Sequence, residues 1–199
     1  MSVFDYSARL ATLMPKEAGS IYALVDASRH PRFSDELRKH GIRAQCLFSG
    51  VLEARLGRYA PYCAEFPLDG ALAAFWFNHR GQGWRNHWGW LFQSDMELDA
   101  LRRHFKKFTL VTLPDGSEVF WRFYDPRVFC RVIPQLNLGQ HGEFVGDLIT
   151  RICCTEPRTG EMLEFISSRA LLGALGSRTL RLRRHPWLEN LAMTHENHP

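Results

Sequence analysis

Short apolar runs alternate along this chain with segments whose apolar positions recur every three to four residues, and that alternation predicts strands and helices in turn. Ser20 to Asp26 (SIYALVD) has the character of a buried strand, with Asp26 at its end. Ser34-Asp-Glu-Leu followed by Gly41 predicts a short helix with an N-cap, an acidic first turn and a C-terminal glycine. Ile42 to Phe48 predicts a second strand, a helix runs from Ser49 toward Tyr59, and Pro61 ends it before a third strand at Tyr62 to Phe66. Asp69 caps the next predicted helix, in which Leu72, Phe75, Trp76 and His79 share one face and which Gly81 closes.

Asn86 to Gln93 is then aromatic and compact enough for a strand. Ser94 and Glu97 form a capping-box pattern ahead of a helix with Leu98, Leu101 and Phe105 on its apolar stripe and Arg102, Arg103, Lys106 and Lys107 near its end. Phe108 to Leu113 and Glu118 to Tyr124 predict a hairpin across Pro114-Asp115-Gly116, where Pro sets φ and Gly accepts a positive φ. On the second strand Phe120, Arg122 and Tyr124 share one face and Trp121 and Phe123 the other, so Arg122 lies among aromatics and needs carboxylates or carbonyls. Asp125-Pro126 starts a helix: the Asp carboxylate accepts orphan N–H groups of the first turn, and Pro has no N–H there to leave unpaired. Pro134 ends that helix after about two turns.

The order βαβαβαβαββα predicts an α/β fold, a mixed β-sheet layered with α-helices, over residues 1–146. Residues 147–199 are expected as a C-terminal β/α extension or small lobe. In it Ile149 to Thr155 pairs with Glu161 to Ser167, and helical patches follow around Ala170 to Leu175 and Pro186 to Met193.

Composition narrows the function classes. With 199 residues, 45% hydrophobic and 23% charged, the chain is in the globular range. Its net charge of +4 gathers partly in Arg178, Arg181, Arg183 and Arg184, too weak an excess to diagnose nucleic-acid binding. Five cysteines without a CxxC pair read as reduced thiols in a cytoplasm. Neither a signal peptide nor a run of about 18 apolar residues is present, so no membrane role is expected.

Each candidate chemistry has a plainer structural role beside it. Asp26, at a strand end, could serve catalysis, but no second carboxylate follows it, and a helix cap or an ion pair with Arg122 is the better reading. Nine histidines spread from His30 to His198 make no HxxxH or HExxH pair, so no metal is expected. Cys63 lacks a local thiol motif, and Cys153 and Cys154, adjacent on a strand, point to opposite faces. No glycine-rich phosphate loop, nucleophile elbow or dinucleotide fingerprint occurs, and no cofactor is expected. Trp84 to Trp90 interleaves aromatic and basic groups as a single-strand nucleic-acid platform would, yet Trp84, Trp88 and Trp90 share strand parity and serve more simply as core.

One set of residues carries a resemblance. Tyr22-Ala-Leu-Val-Asp26, Leu47-Phe48-Ser-Gly, Ala60-Pro-Tyr62, Trp88-Gly89 with Ser94 soon after, Leu101-Arg-Arg-His104-Phe, and above all Phe120-Trp-Arg-Phe-Tyr-Asp-Pro-Arg127 resemble the domain-of-unknown-function family 4123, from about Ile21 to Gly146. The resemblance implies a non-catalytic cytoplasmic adaptor or chaperone of the bacterial type VI secretion system. Such a protein binds a secreted effector and helps load it onto the VgrG spike protein. The family-like positions are Tyr22, Asp26, Pro61, Trp88, Gly89, Arg122, Tyr124, Asp125, Pro126 and Arg127. Most are expected to hold the fold, with Arg122 and Arg127 shared between fold and partner. Many relatives carry a larger helical C-terminal lobe than the fifty or so residues that follow Gly146 here, so the resemblance does not locate the effector surface.

Overall fold

A computed structural model of the chain describes residues 3–30, 32–146, 148–169 and 178–185. The elements run α1 (Val3–Leu13), β1 (Ser20–Asp26), α2 (Phe33–Lys39), β2 (Ala44–Cys46), α3 (Gly50–Leu56), β3 (Pro61–Glu65), α4 (Ala71–Arg85) and β4 (Gly89–Ser94). They continue as α5 (Leu98–Lys106), β5 (Leu110–Thr112), β6 (Glu118–Phe120), α6 (Pro126–Val132), α7 (Leu138–Val145), β7 (Arg151–Thr155), β8 (Met162–Arg169) and β9 (Arg178–His185). Seven strands form one sheet in the order β2-β3-β1-β4-β7-β8-β9, and β5 and β6 pair separately.

Period-two alternation sorts the strand residues onto two faces. Tyr22 and Leu24 of β1 lie with Cys63, Trp90, Phe92, Ile152 and Cys154 on one face, beneath Leu101 and Phe105 of α5, Phe129 of α6 and Phe144 of α7. Ala23 and Val25 lie with Ala64, Leu91 and Cys153 on the other, beneath Tyr6 of α1, Phe33 of α2 and Trp76 and Phe77 of α4. The result is a sheet with helices on both faces, the layered α/β arrangement that the alternation predicted. Each fully buried large apolar side chain stabilises by roughly 2 kcal/mol, so burial on both faces dominates the fold.

Strand direction differs from the expectation, because every pairing in the main sheet is antiparallel. Helical crossovers usually join parallel strands, but here β1 sits between β3 and β4, both running against it. The hairpin that was expected to make the sheet mixed is a separate ribbon. Beyond Gly146, β7 and β8 pair as predicted and extend the same sheet from β4. The helical patches expected at Ala170 to Leu175 and Pro186 to Met193 lie outside the described residues.

Several local expectations are corrected. Gly81 does not close its helix, since α4 continues to Arg85. The glycine has φ +75, and a Cβ there would lie 2.7 Å from the Tyr6 hydroxyl, so it serves the contact with α1. Asp69 makes no cap, because Gly70 is the N-cap residue and no side chain bonds there. The same holds for Ser34, which lies inside α2 behind an Arg32 N-cap. Ser94 cannot form a capping box because it is still in the ladder opposite Ser20; its Oγ accepts the Met96 N–H, and Glu97 takes the N-cap position without a side-chain bond. Two helices, α1 and α7, were not predicted. A capping box at α7 was present in the sequence as Asn137 and Gln140, and α1 places Tyr6 and Leu10 at helical spacing, with Met14 just past its end.

Candidate functional site

The Asp125-Pro126 signature folds as the sequence predicts. Asp125 is the N-cap of α6, with Oδ1 accepting the Arg127 N–H at 3.0 Å, and Pro126 occupies the first helical turn. α6 ends at Val132, and a 3₁₀ turn containing Pro134 follows. The preceding strand stops sooner than expected, at Phe120. Residues 121–125 turn, fixed by the Asp125 N–H donating to the Arg122 carbonyl and by the Trp90 indole N–H donating to the Phe123 carbonyl at 2.8 Å. Strand parity therefore does not govern this stretch, and Phe123 and Tyr124 both enter the same core.

The turn brings Arg122 to the far end of β1. Its Nη2 lies 2.7 Å from Asp26 Oδ2 and 3.3 Å from Asp125 Oδ2, so one guanidinium bridges two carboxylates. Arg127 closes the cluster, with Nε 2.9 Å from Asp125 Oδ1 and Nη2 2.6 Å from Asp125 Oδ2. Asp26 also caps the 3₁₀ turn Ala27–Arg29, its Oδ1 accepting from Ser28 N–H at 3.0 Å and Ser28 Oγ at 2.5 Å. The two acids are 2% and 1% exposed, whereas the Arg122 and Arg127 side chains are 44% and 40% exposed. Buried anions are thus neutralised by cations that reach in from the surface, which avoids most of the cost of burying the cations too.

The electrostatics follow from this geometry. Burial would push the Asp125 carboxyl up, but the side-chain and backbone hydrogen bonds from Arg127, with the charges of Arg127 and Arg122, outweigh it and hold the group below its ordinary value. Burial works against the charge of Arg122 as well; the bond and charge of Asp26 reverse that and raise it. Tyr124 is pushed up to about 12, first by burial and then by the neighbouring Asp26 charge.

Of the residues expected at the site, Asp26, Arg122, Asp125 and Arg127 come together, with Tyr124 beneath them. Tyr22 does not belong to this cluster. It is buried, and its hydroxyl donates to the Met96 carbonyl at 2.8 Å. Trp88 is core on the opposite face, packed against Phe75, Trp76 and His30, and only its carbonyl serves the joint, accepting the Asp26 N–H at 2.7 Å. Two neighbours were missed. His87 has φ +53, and its imidazole is lowered by burial and then by the charge of Arg127. Arg29 donates from Nε to the Asn86 carbonyl at 3.2 Å. No motif marks either, because Arg29 lies on the 3₁₀ turn after β1 and His87 reaches it only through the turn between α4 and β4.

The chemical alternatives meet specific obstacles. A carboxylate beyond the carboxyl ends of parallel strands would suit catalysis, but this sheet is antiparallel and Asp26 is held by Arg122 and Ser28. Cys63 has no exposed surface, and burial pushes its thiol far up, away from the reactive thiolate. Cys153 and Cys154 do point to opposite faces. Trp84, Trp88 and Trp90 are at most 1% exposed, leaving no face for base stacking. They do not share a strand face: Trp84 is on α4, Trp88 joins one core and Trp90 the other. The change of side falls at Gly89, where an added Cβ would lie 1.8 Å from the Leu24 carbonyl oxygen.

Among the described residues no three His, Cys, Asp or Glu side chains converge as metal ligands. Likewise, among them no helix is long and apolar enough to cross a membrane. A cleft of about 700 Å³ opens beside Leu37, Arg38, Ile42, Arg43, Arg58 and Tyr62, and no member of the acid–arginine cluster lines it.

Neither the curated proteins nor the solved structures yield a significant match. The family model described as Domain of unknown function (DUF4123) matches residues 21–143, more than half of the chain, starting in β1 and ending in α7 so that both halves of the acid–arginine cluster fall inside it. The chain belongs to the domain-of-unknown-function family 4123.

Proposed function

We propose that this protein is a non-catalytic cytoplasmic adaptor or chaperone that binds a type VI secretion effector and helps load it onto the VgrG spike. The observation that carries the reading is the acid–arginine cluster. Arg122 and Arg127, in the most family-specific stretch of the sequence, are clamped by buried Asp26 and Asp125 while about two fifths of each side chain stays open to solvent. A cation fixed in this way loses little side-chain freedom when a partner carboxylate arrives. Phe120, at the head of the same stretch, is 48% exposed, and Leu110, Leu113 and Val119 beside it on the separate β5–β6 hairpin are exposed too. An exposed apolar hairpin that leads in sequence into an ordered cation suits a protein partner.

Co-expression with the toxin encoded nearby, followed by size exclusion, tests the role. A stable complex, together with loss of secretion of that toxin on deletion of the adaptor, is the expected result. Separate elution combined with unchanged secretion overturns it.

A further inference from the structure

The two edges of the main sheet are unlike. β2, at one edge, has three residues. β9, at the other, has eight, which is about 26 Å of strand, and its register with β8 is continuous from Arg178 opposite Arg169 to His185 opposite Met162. Among the described residues no strand pairs with the outer side of β9. Edges are commonly blunted by brevity, proline, a bulge or charged side chains, and of these β9 has only the charges. β9 contains no proline, and its pairing shows no skipped residue.

Its side chains divide by face. Leu180, Leu182 and Arg184 stand opposite Ser167, Phe165 and Leu163, on the face that α7 also covers. Leu180 packs partly against that core, and Leu182 is 41% exposed. Arg181 and Arg183 are exposed on the other face, opposite Ile166 and Glu164. Glu164 is already held by Arg151 and His185. Neither Arg181 nor Arg183 has a carboxylate partner among the described residues, whereas Arg184 has Glu161 at 3.0 Å. Two like charges two positions apart on one face repel each other; they hold off an apolar or basic strand, and an acidic segment is the one that would relieve them.

We infer that β9 is a docking edge, and that an extended partner segment alternating apolar with acidic residues adds to it as an eighth strand. Backbone bonds to the free edge would hold the segment, its acids would lie beside Arg181 and Arg183, and its apolar residues would continue the row of Leu180 and Leu182. The inference rests on the adaptor reading only in naming the effector as the source of that segment.

The test uses the full chain and an eight-residue synthetic peptide of four Val-Asp repeats, matched to the length of β9. Binding is followed by fluorescence anisotropy, and protection of the β9 amides by hydrogen exchange. Expected results are saturable binding that weakens with salt, new protection confined to β9, and at least tenfold weaker binding in the Arg181→Glu/Arg183→Glu variant, which instead binds a Val-Lys peptide. The recovered binding by the swapped peptide shows that the variant is folded. Absence of binding, or binding indifferent to the charge reversal, overturns the inference. So do β9 amides already protected in the free protein and released by truncation after His185, since the chain's own end then occupies the edge. Effector that co-elutes while the peptide fails removes the edge and leaves the adaptor; a peptide that binds while effector does not co-elute does the reverse.

Discussion

Asp125 and Glu164 are each 1% exposed, and each is gripped by an arginine reaching in from a partly exposed position. The surroundings of the two acids are otherwise different. Asp125, like its neighbour Asp26, starts a helical turn, so its carboxylate accepts backbone N–H as well as guanidinium. Glu164 lies within β8, where the backbone is committed to the ladders. Its Oε1 depends on Arg151 Nη1 at 2.5 Å and its Oε2 on His185 Nε2 at 3.2 Å. Arg151 also donates to the Leu13 carbonyl at 2.9 Å, tying the end of α1 to the sheet. A capping carboxylate keeps part of its solvation when its cation is lost; a strand carboxylate keeps almost none. The two joints should therefore fail by different amounts.

The largest effect is expected at the strand joint. Arg151→Ala should destabilise by about 3 kcal/mol, since it leaves a buried carboxylate with His185 alone and no backbone N–H, and chemical denaturation would measure it. Arg122→Ala should cost about 2 kcal/mol, because Asp26 retains Ser28, Asp125 retains Arg127, and the half-open site admits water. If Arg122→Ala proves the more damaging of the two, the caps contribute nothing and the contrast collapses. Replacing both partners by apolar groups, as Arg151→Met/Glu164→Leu, should recover most of the loss of the single variant, to within about 1 kcal/mol of the parent. Recovery that fails would mean that the joint fixes strand register and not only charge.

Acid separates the cap joint in a second way. The Asp125 carboxyl is held below its ordinary 3.8, so its contribution is full above that pH and is lost as pH falls through the folded-state value. The stability gap between the parent and Arg127→Ala, about 1 kcal/mol near neutrality because the Asp125 carboxylate keeps its backbone bond, should therefore close as pH drops below 3.8. A gap constant with pH would show that Arg127 acts through packing. The smallest effect lies outside both joints. Burial lowers His30, His87, His104 and His141 from 6.5, so the unfolded chain binds more protons and stability should rise with pH just below 6.5. A flat melting temperature across that interval would contradict it.

The two joints were unequally legible. Asp125-Pro126 announces its cap within two residues, and Arg122 among aromatics announces a need for carboxylates, so Asp26 and Arg122 could be paired in advance. Ser20 to Asp26 and the β7–β8 pair were legible as short apolar runs, whereas of the strand expected over Glu118 to Tyr124 only Glu118–Phe120 forms. Glu164 looked like any acid on a strand, because nothing near it in the chain names Arg151 or His185. Trp84 shows the opposite failure: the parity of Trp84, Trp88 and Trp90 was real in the sequence, but a helix end and the close approach at Gly89 broke the strand to which it was applied. Asp69 and Ser94 were plausible caps by spacing, yet neighbouring Gly70 and the Ser94 ladder pairing decided otherwise.

What the residues by themselves determined is what forms within a few positions: the start of α6 at Asp125, its end ahead of Pro134, the continuous apolar run of β1, buried on both faces, and the family to which the central stretch belongs. Those signals are local because caps, turns and alternation depend on bonds between near neighbours. Only the tertiary structure decided that the strands run antiparallel, that Glu164 meets Arg151 and His185, and that the long strand of arginines and leucines lies at an edge among the described residues. Such choices depend on which faces must be buried together, and that is a property of the whole packed sheet.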